Sequence, residues 1–137
     1  MSEAELRSAI LIAGSLHFVQ VPALFVTPSV LDWRGEITRL SSINQQIVKV
    51  VLGGIVLCVL GLGAVVVLTA GEIARTRLGG RLCGFLAIFW SYRAMIQLFV
   101  YSKSWPRSAR WSHLGLCCLF PLLAGLYALG AFARGGS

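Results

Sequence analysis

Four long apolar runs separated by short polar stretches make up almost the whole chain: about 4–26, 47–69, 82–101 and 113–132. Each is close to the roughly 20 residues that carry a helix across about 30 Å of hydrocarbon. A strand reading fails, because the runs do not alternate and are too long. The pattern predicts an all-α protein, a four-helix transmembrane bundle forming one domain over residues 1–137.

Between the first and second runs the chain is too polar to span. Val30, Trp33, Ile37 and Leu40 share one helical face there, and Asp32, Arg34, Glu36 and Arg39 fall largely on others. This predicts a short interfacial helix, with Ser29 and Asp32 as a capping-box-like start and Ser42 with Gln45 opening the second span. The connection GEIARTRLGGR reads as a short basic loop. Small residues at helical spacing, Gly54, Cys58, Gly61 and Ala64 in the second run and Gly115, Cys118 and Gly125 in the fourth, predict faces for close helix approach.

The polar exceptions inside the runs are more informative. Arg93 lies in the third, where a guanidinium costs about 2.5–3.5 kcal/mol on insertion scales and must therefore face protein, water or a ligand. Trp90, Gln97 and Tyr101 share its helical stripe. In the first run Ala13, Gly14, His17 and Gln20 form a small, polar face, and Pro22 predicts a kink beyond His17. Runs one and three cross in the same direction, and His17 and Arg93 stand at matching depth in them. Gln20 and Gln97 follow one turn further on. Asn44, Gln45 and His113 enter from the same surface, so the predicted site is a half-funnel narrowing from loops one and three to His17 and Arg93. Its ligand-binding residues are His17, Gln20, Arg93, Gln97, Tyr101, Trp90, Asn44 and Gln45.

Composition supports the membrane reading, with 57% hydrophobic and only 12% charged residues and a mean hydropathy of +0.81. Glu3 and Glu5 beside Arg7 argue against a cleaved signal peptide. The net charge of +7 is spread through every loop, which points to anionic lipid headgroups as partners and not to nucleic acid. Arg7, Arg75, Arg77, Arg81 and Arg134 on one side balance Arg34, Arg39, Lys49, Lys103, Arg107 and Arg110 on the other, so charge asymmetry sets no orientation. The four cysteines, Cys58, Cys83, Cys117 and Cys118, show no metal or redox spacing and read as packing residues. A multi-pass protein of a bacterial inner membrane is expected.

The span polarity admits several functions. The leading reading is a site for an amphipathic ligand with an anionic or carbonyl head, a lipid or a quinone, in an accessory or binding subunit of a membrane complex or in a homodimer. A membrane-embedded enzyme would use His17 as acid or base and Arg93 as electrophilic stabiliser. A haem- or chlorophyll-binding subunit would use His17 as axial ligand to the tetrapyrrole. The structural alternative is a hydrogen-bonded staple of His17, Gln20, Arg93 and Gln97 joining helices one and three. In size alone the chain resembles small multidrug-resistance transporters and dual-topology fluoride channels, but His17 stands where the former need a glutamate.

Overall fold

The computed structural model describes residues 2–103, 105–107 and 110–135. Its elements are α1 (Glu3–Val30), α2 (Trp33–Thr38), α3 (Ser42–Leu68), α4 (Ala70–Arg75), α5 (Arg77–Met95) and α6 (Arg110–Gly135). No strand occurs among the described residues, and four helices are long and apolar enough to cross a membrane.

α1 begins at a reciprocal capping box. The Ser2 hydroxyl accepts from the Glu5 N–H at 3.2 Å and the Glu5 carboxylate accepts from the Ser2 N–H at 2.6 Å, satisfying two donors that a helix start leaves orphaned. The helix then runs through Pro22 and Pro28 to Val30. Ser29 is therefore inside α1 and does not cap the next helix; its hydroxyl donates to the Phe25 carbonyl at 3.5 Å. Asp32, with φ of 49°, turns the chain into α2. This short helix half-buries Trp33 and Ile37 and leaves Arg34, Glu36 and Arg39 exposed. The N-cap of α3 is Ser41 and not Ser42. Gln45 reaches back instead to donate to the Leu40 carbonyl at 3.0 Å.

The stretch read as a basic loop folds as α4 and the first turn of α5. Thr76 ends α4 and caps α5, its hydroxyl accepting from the Gly79 N–H at 3.0 Å. A Cβ at Gly79 would overlap the backbone of Ile73, so only glycine lets α4 fold back onto the start of α5. An ion pair from Arg75 to Glu3 ties α4 to the beginning of α1. At its far end α5 continues as a π turn, Ile96–Val100, and a 3-10 turn, Tyr101–Lys103.

α1 packs between α3 and α6, α5 packs on α6, and α4 lies against α1 and α5. The shared core holds Leu6, Ile10 and Ala13 of α1, Leu86 and Trp90 of α5, and Phe120, Leu123 and Tyr127 of α6. α3 is the most apolar span and the least buried. Lipid tails are as apolar as a protein core, so such a helix needs no further cover.

Close helix approach occurs where the spacing did not place it. A Cβ at Gly63 would meet the Cβ of His17 at 2.8 Å, and one at Gly14 would meet Val67 at 2.8 Å, so α1 and α3 cross glycine to glycine. On α6 the contact falls at Gly130, against Cys83. Gly54 and Gly61 of the expected α3 ridge, like Gly115 and Gly125 of the expected α6 face, have open space beside them.

Candidate functional site

The deepest polar residues meet where α1, α5 and α6 converge. His17 lies on the face of α1 that carries Ile10 and Ala13, and its Nδ1 is 2.9 Å from the Ala13 carbonyl. That contact makes Nδ1–H the donor and leaves Nε2 an acceptor in the neutral imidazole. The Trp90 ring stands edge-on to it at 5.2 Å and the Tyr127 ring at 6.0 Å. His17 and Tyr127 are 0% exposed and Trp90 is 3% exposed. Four buried polar atoms here have no hydrogen-bond partner: His17 Nε2, Gln20 Nε2, Trp90 Nε1 and the Tyr127 hydroxyl.

Trp90 stacks on Phe120 at 5.5 Å, and the Arg93 guanidinium lies over the same Phe120 ring at 5.0 Å. Arg93 is half-buried and makes no hydrogen bond or ion pair to any described residue. A cation over an aromatic face returns about 0.5–2 kcal/mol. Against about 2.5–3.5 kcal/mol for the charge near mid-span, the ring does not fully compensate it.

Gln97, in the π turn and 1% exposed, bonds through its amide to His113 Nδ1 at 2.8 Å. The other His113 nitrogen lies 3.5 Å from the Cys117 sulfur. Trp105 covers this imidazole at 5.2 Å and Tyr101 tilts against Trp105 at 6.1 Å. π turns accommodate one extra residue and often mark functional positions. Here the turn carries the residue that links α5 to α6.

The structure thus brings His17 and Trp90 together, sets Arg93 over the Phe120 ring on which Trp90 also stacks, and pairs Gln97 with His113. No hydrogen bond joins His17, Gln20, Arg93 and Gln97 to one another, so they do not form a staple. Asn44 is exposed, Gln45 serves the start of α3, and Tyr101 belongs to the aromatic cover. Sequence reasoning left out Phe120, Tyr127 and the pairing role of His113. Phe120 and Tyr127 recur seven residues apart, two helical turns on one face, which was the available signal.

The concavity beside this cluster opens sideways, between α1 and α6. It is a groove of about 400 Å³ walled by Val19, Ala23, Leu116, Leu119 and Leu122, with Ser112 and Gln20 among its lining. Val19 and Leu122 are 63% and 50% exposed, so its mouth is open and apolar. Gln20 is 4% exposed and has its amide nitrogen unpartnered. A tetrapyrrole does not fit His17 in this packing, because the imidazole is fully buried with the Trp90 and Tyr127 rings packed against it.

These features define a membrane-type four-helix bundle with a buried aromatic and polar centre and a lateral apolar groove. The chain matches no family model, no curated protein and no solved structure.

Proposed function

We propose that this protein binds a carbonyl-bearing amphiphile, a phospholipid ester or a quinone head, in the groove between α1 and α6. Gln20 carries the reading: the residue is part of the lining of a mostly apolar groove, and its buried amide nitrogen has no acceptor among the described residues. Such a donor costs about 1–3 kcal/mol unpaired, and a ligand carbonyl supplies its acceptor. Moving a chain from bilayer to groove gains little, since both are apolar. Selection among amphiphiles therefore falls to the polar contact.

Arg93 acts in the same reading as an anion-seeking group, its charge unmatched by any described residue and available to a lipid phosphate. Trp90 stacks on the same Phe120 ring, and His17 holds the α1 side of the core. Gln97 closes α5 onto α6, with Tyr101, Asn44 and Gln45 toward the surface from which headgroups approach. The open glycines Gly54 and Gly61 of α3 support a role as a subunit, since they leave room for a helix of a second copy or of another membrane protein.

Native mass spectrometry tests the proposal with a diester phosphatidylglycerol and its diether analogue, which keeps headgroup and chains but lacks the carbonyls. One hydrogen bond of about 1–1.5 kcal/mol predicts roughly five- to tenfold preferential retention of the diester. Gln20→Leu should abolish the preference. If the native ligand is a quinone, added ubiquinone displaces both lipids from the wild type and neither from Gln20→Leu. Equal retention of the two lipids with no displacement by quinone overturns the reading.

A further inference from the structure

Granted that Gln20 meets a ligand carbonyl, the reading on which this inference rests, we propose that the ligand of the α1–α6 groove is an uncharged quinone and not a phospholipid ester. Two observations make the choice: the depth of Gln20 in the membrane, and the lack of charge along the groove.

α1 has 28 residues, Glu3–Val30, which at about 1.5 Å per residue make it about 42 Å long. Centred on about 30 Å of hydrocarbon, it overhangs by about 6 Å at each end. Gln20 precedes Val30 by ten residues, about 15 Å, and so lies about 9 Å inside the hydrocarbon boundary. α6 supplies an independent measure. Its 26 residues, Arg110–Gly135, span about 39 Å and overhang by about 4–5 Å. Leu119 and Leu122, which line the groove together with Gln20, stand about 9 and 13 Å inside the same boundary. Ser112, at the outer end of the lining, belongs to the first turn of α6 and stands at the boundary itself.

A phospholipid carries its esters just outside the hydrocarbon, beside the charged phosphate. Such a lipid would present its esters to Ser112, and only its acyl chain would reach Gln20. Drawing an ester down to Gln20 would pull the phosphate below the boundary, where no charged side chain lines the groove to receive it. Arg93 lies over Phe120 and is not part of that lining. An unpaired charge in hydrocarbon costs far more than one hydrogen bond returns. A quinone carries no charge, so its ring reaches this depth without that penalty, and its carbonyl oxygens accept from the Gln20 amide. The groove, at about 400 Å³, is within the range of about 300–1,000 Å³ of small-molecule sites. Its open, apolar mouth lets the quinone tail run on between the lipid chains.

The test is native mass spectrometry of the full chain released from bilayers of diether phosphatidylglycerol, whose lipids offer Gln20 no carbonyl. Ubiquinone, diester phosphatidylglycerol or trioleoylglycerol, an uncharged ester, is added at equal mole fraction, and the retained ligand is counted. Ubiquinone should be retained about fivefold or more over the diester lipid, with diester and diether retained alike, and Gln20→Leu should remove the excess. Diester retained as well as ubiquinone, and above the diether, would overturn the quinone while leaving the carbonyl reading in place. Trioleoylglycerol retained as well as ubiquinone would overturn the quinone in favour of a neutral ester. Retention of none of the three above the diether would overturn both readings. The wild-type comparisons decide these outcomes even if Gln20→Leu fails to fold.

Discussion

Gly63→Ala tests the helix crossing that positions His17. The added Cβ would lie 2.8 Å from the Cβ of His17, 3.2 Å from the Gly14 carbonyl and 3.3 Å from the Phe18 ring. Two of these contacts are at or next to the α1 backbone, so side-chain rotation does not relieve them. Reaching ordinary contact at 3.4 Å from 2.8 Å requires α3 to retreat from α1 by about 0.6 Å. Overpacking of this kind costs about 1–3 kcal/mol. Gly54→Ala is the matched control, with nothing within 4 Å of its Cβ, and alanine there should gain up to about 1 kcal/mol from helix propensity. Alanine gains the same propensity at Gly63, so the two variants should differ by the overpacking cost alone, about 1–3 kcal/mol. Reversible unfolding in mixed micelles, followed by circular dichroism, measures the difference. Equal stability for Gly63→Ala and Gly54→Ala would refute the glycine-to-glycine crossing.

Arg93→Met removes a charge that, among the described residues, makes no hydrogen bond or ion pair and lies over the Phe120 ring. Unfolding in lipid-free micelles should change by less than about 1 kcal/mol or become more favourable to the fold, while retention of anionic lipid falls; a loss of several kcal/mol would reveal an internal anion. Gln97→Leu leaves His113 without its 2.8 Å partner and should destabilise by about 1–3 kcal/mol. Hydrogen exchange should then accelerate across the π turn Ile96–Val100; unchanged exchange would show that the amide contact does not hold the turn.

The spans were legible because run length and apolarity respond directly to bilayer thickness. Their boundaries were less so: the first run was read as ending near residue 26, yet α1 continues through Pro28 to Val30, and the interfacial segment shrinks to Trp33–Thr38. α4 went unread because six residues carry too little periodicity to separate a short helix from a polar loop. The glycine faces show a different limit. Spacing identifies which small residues share a face but not which face meets protein, since lipid serves an apolar surface equally well. Gly54 and Gly61 therefore looked like packing positions, whereas Gly63 makes the contact. Of the candidate site, the inward placement of His17, Gln20 and Gln97 was readable from the expense of polar groups in hydrocarbon. The pairing of Gln97 with His113 was not, because it depends on the register between α5 and α6 at a π turn. The Ser2–Glu5 box was readable and overlooked beside the acidic start of the chain.

The central claim is that a ligand carbonyl satisfies Gln20. Its most direct measurement is rotational-echo double-resonance NMR between the side-chain ¹⁵N of Gln20 and carbonyl ¹³C, using diester lipid or quinone labelled at the carbonyl in bilayers containing the full chain. A hydrogen bond of about 3 Å from nitrogen to oxygen places the carbonyl carbon about 4 Å from the nitrogen, and the account predicts dephasing at that distance with one of the two labels. No dephasing with either label, together with dephasing by a protein carbonyl, would contradict it.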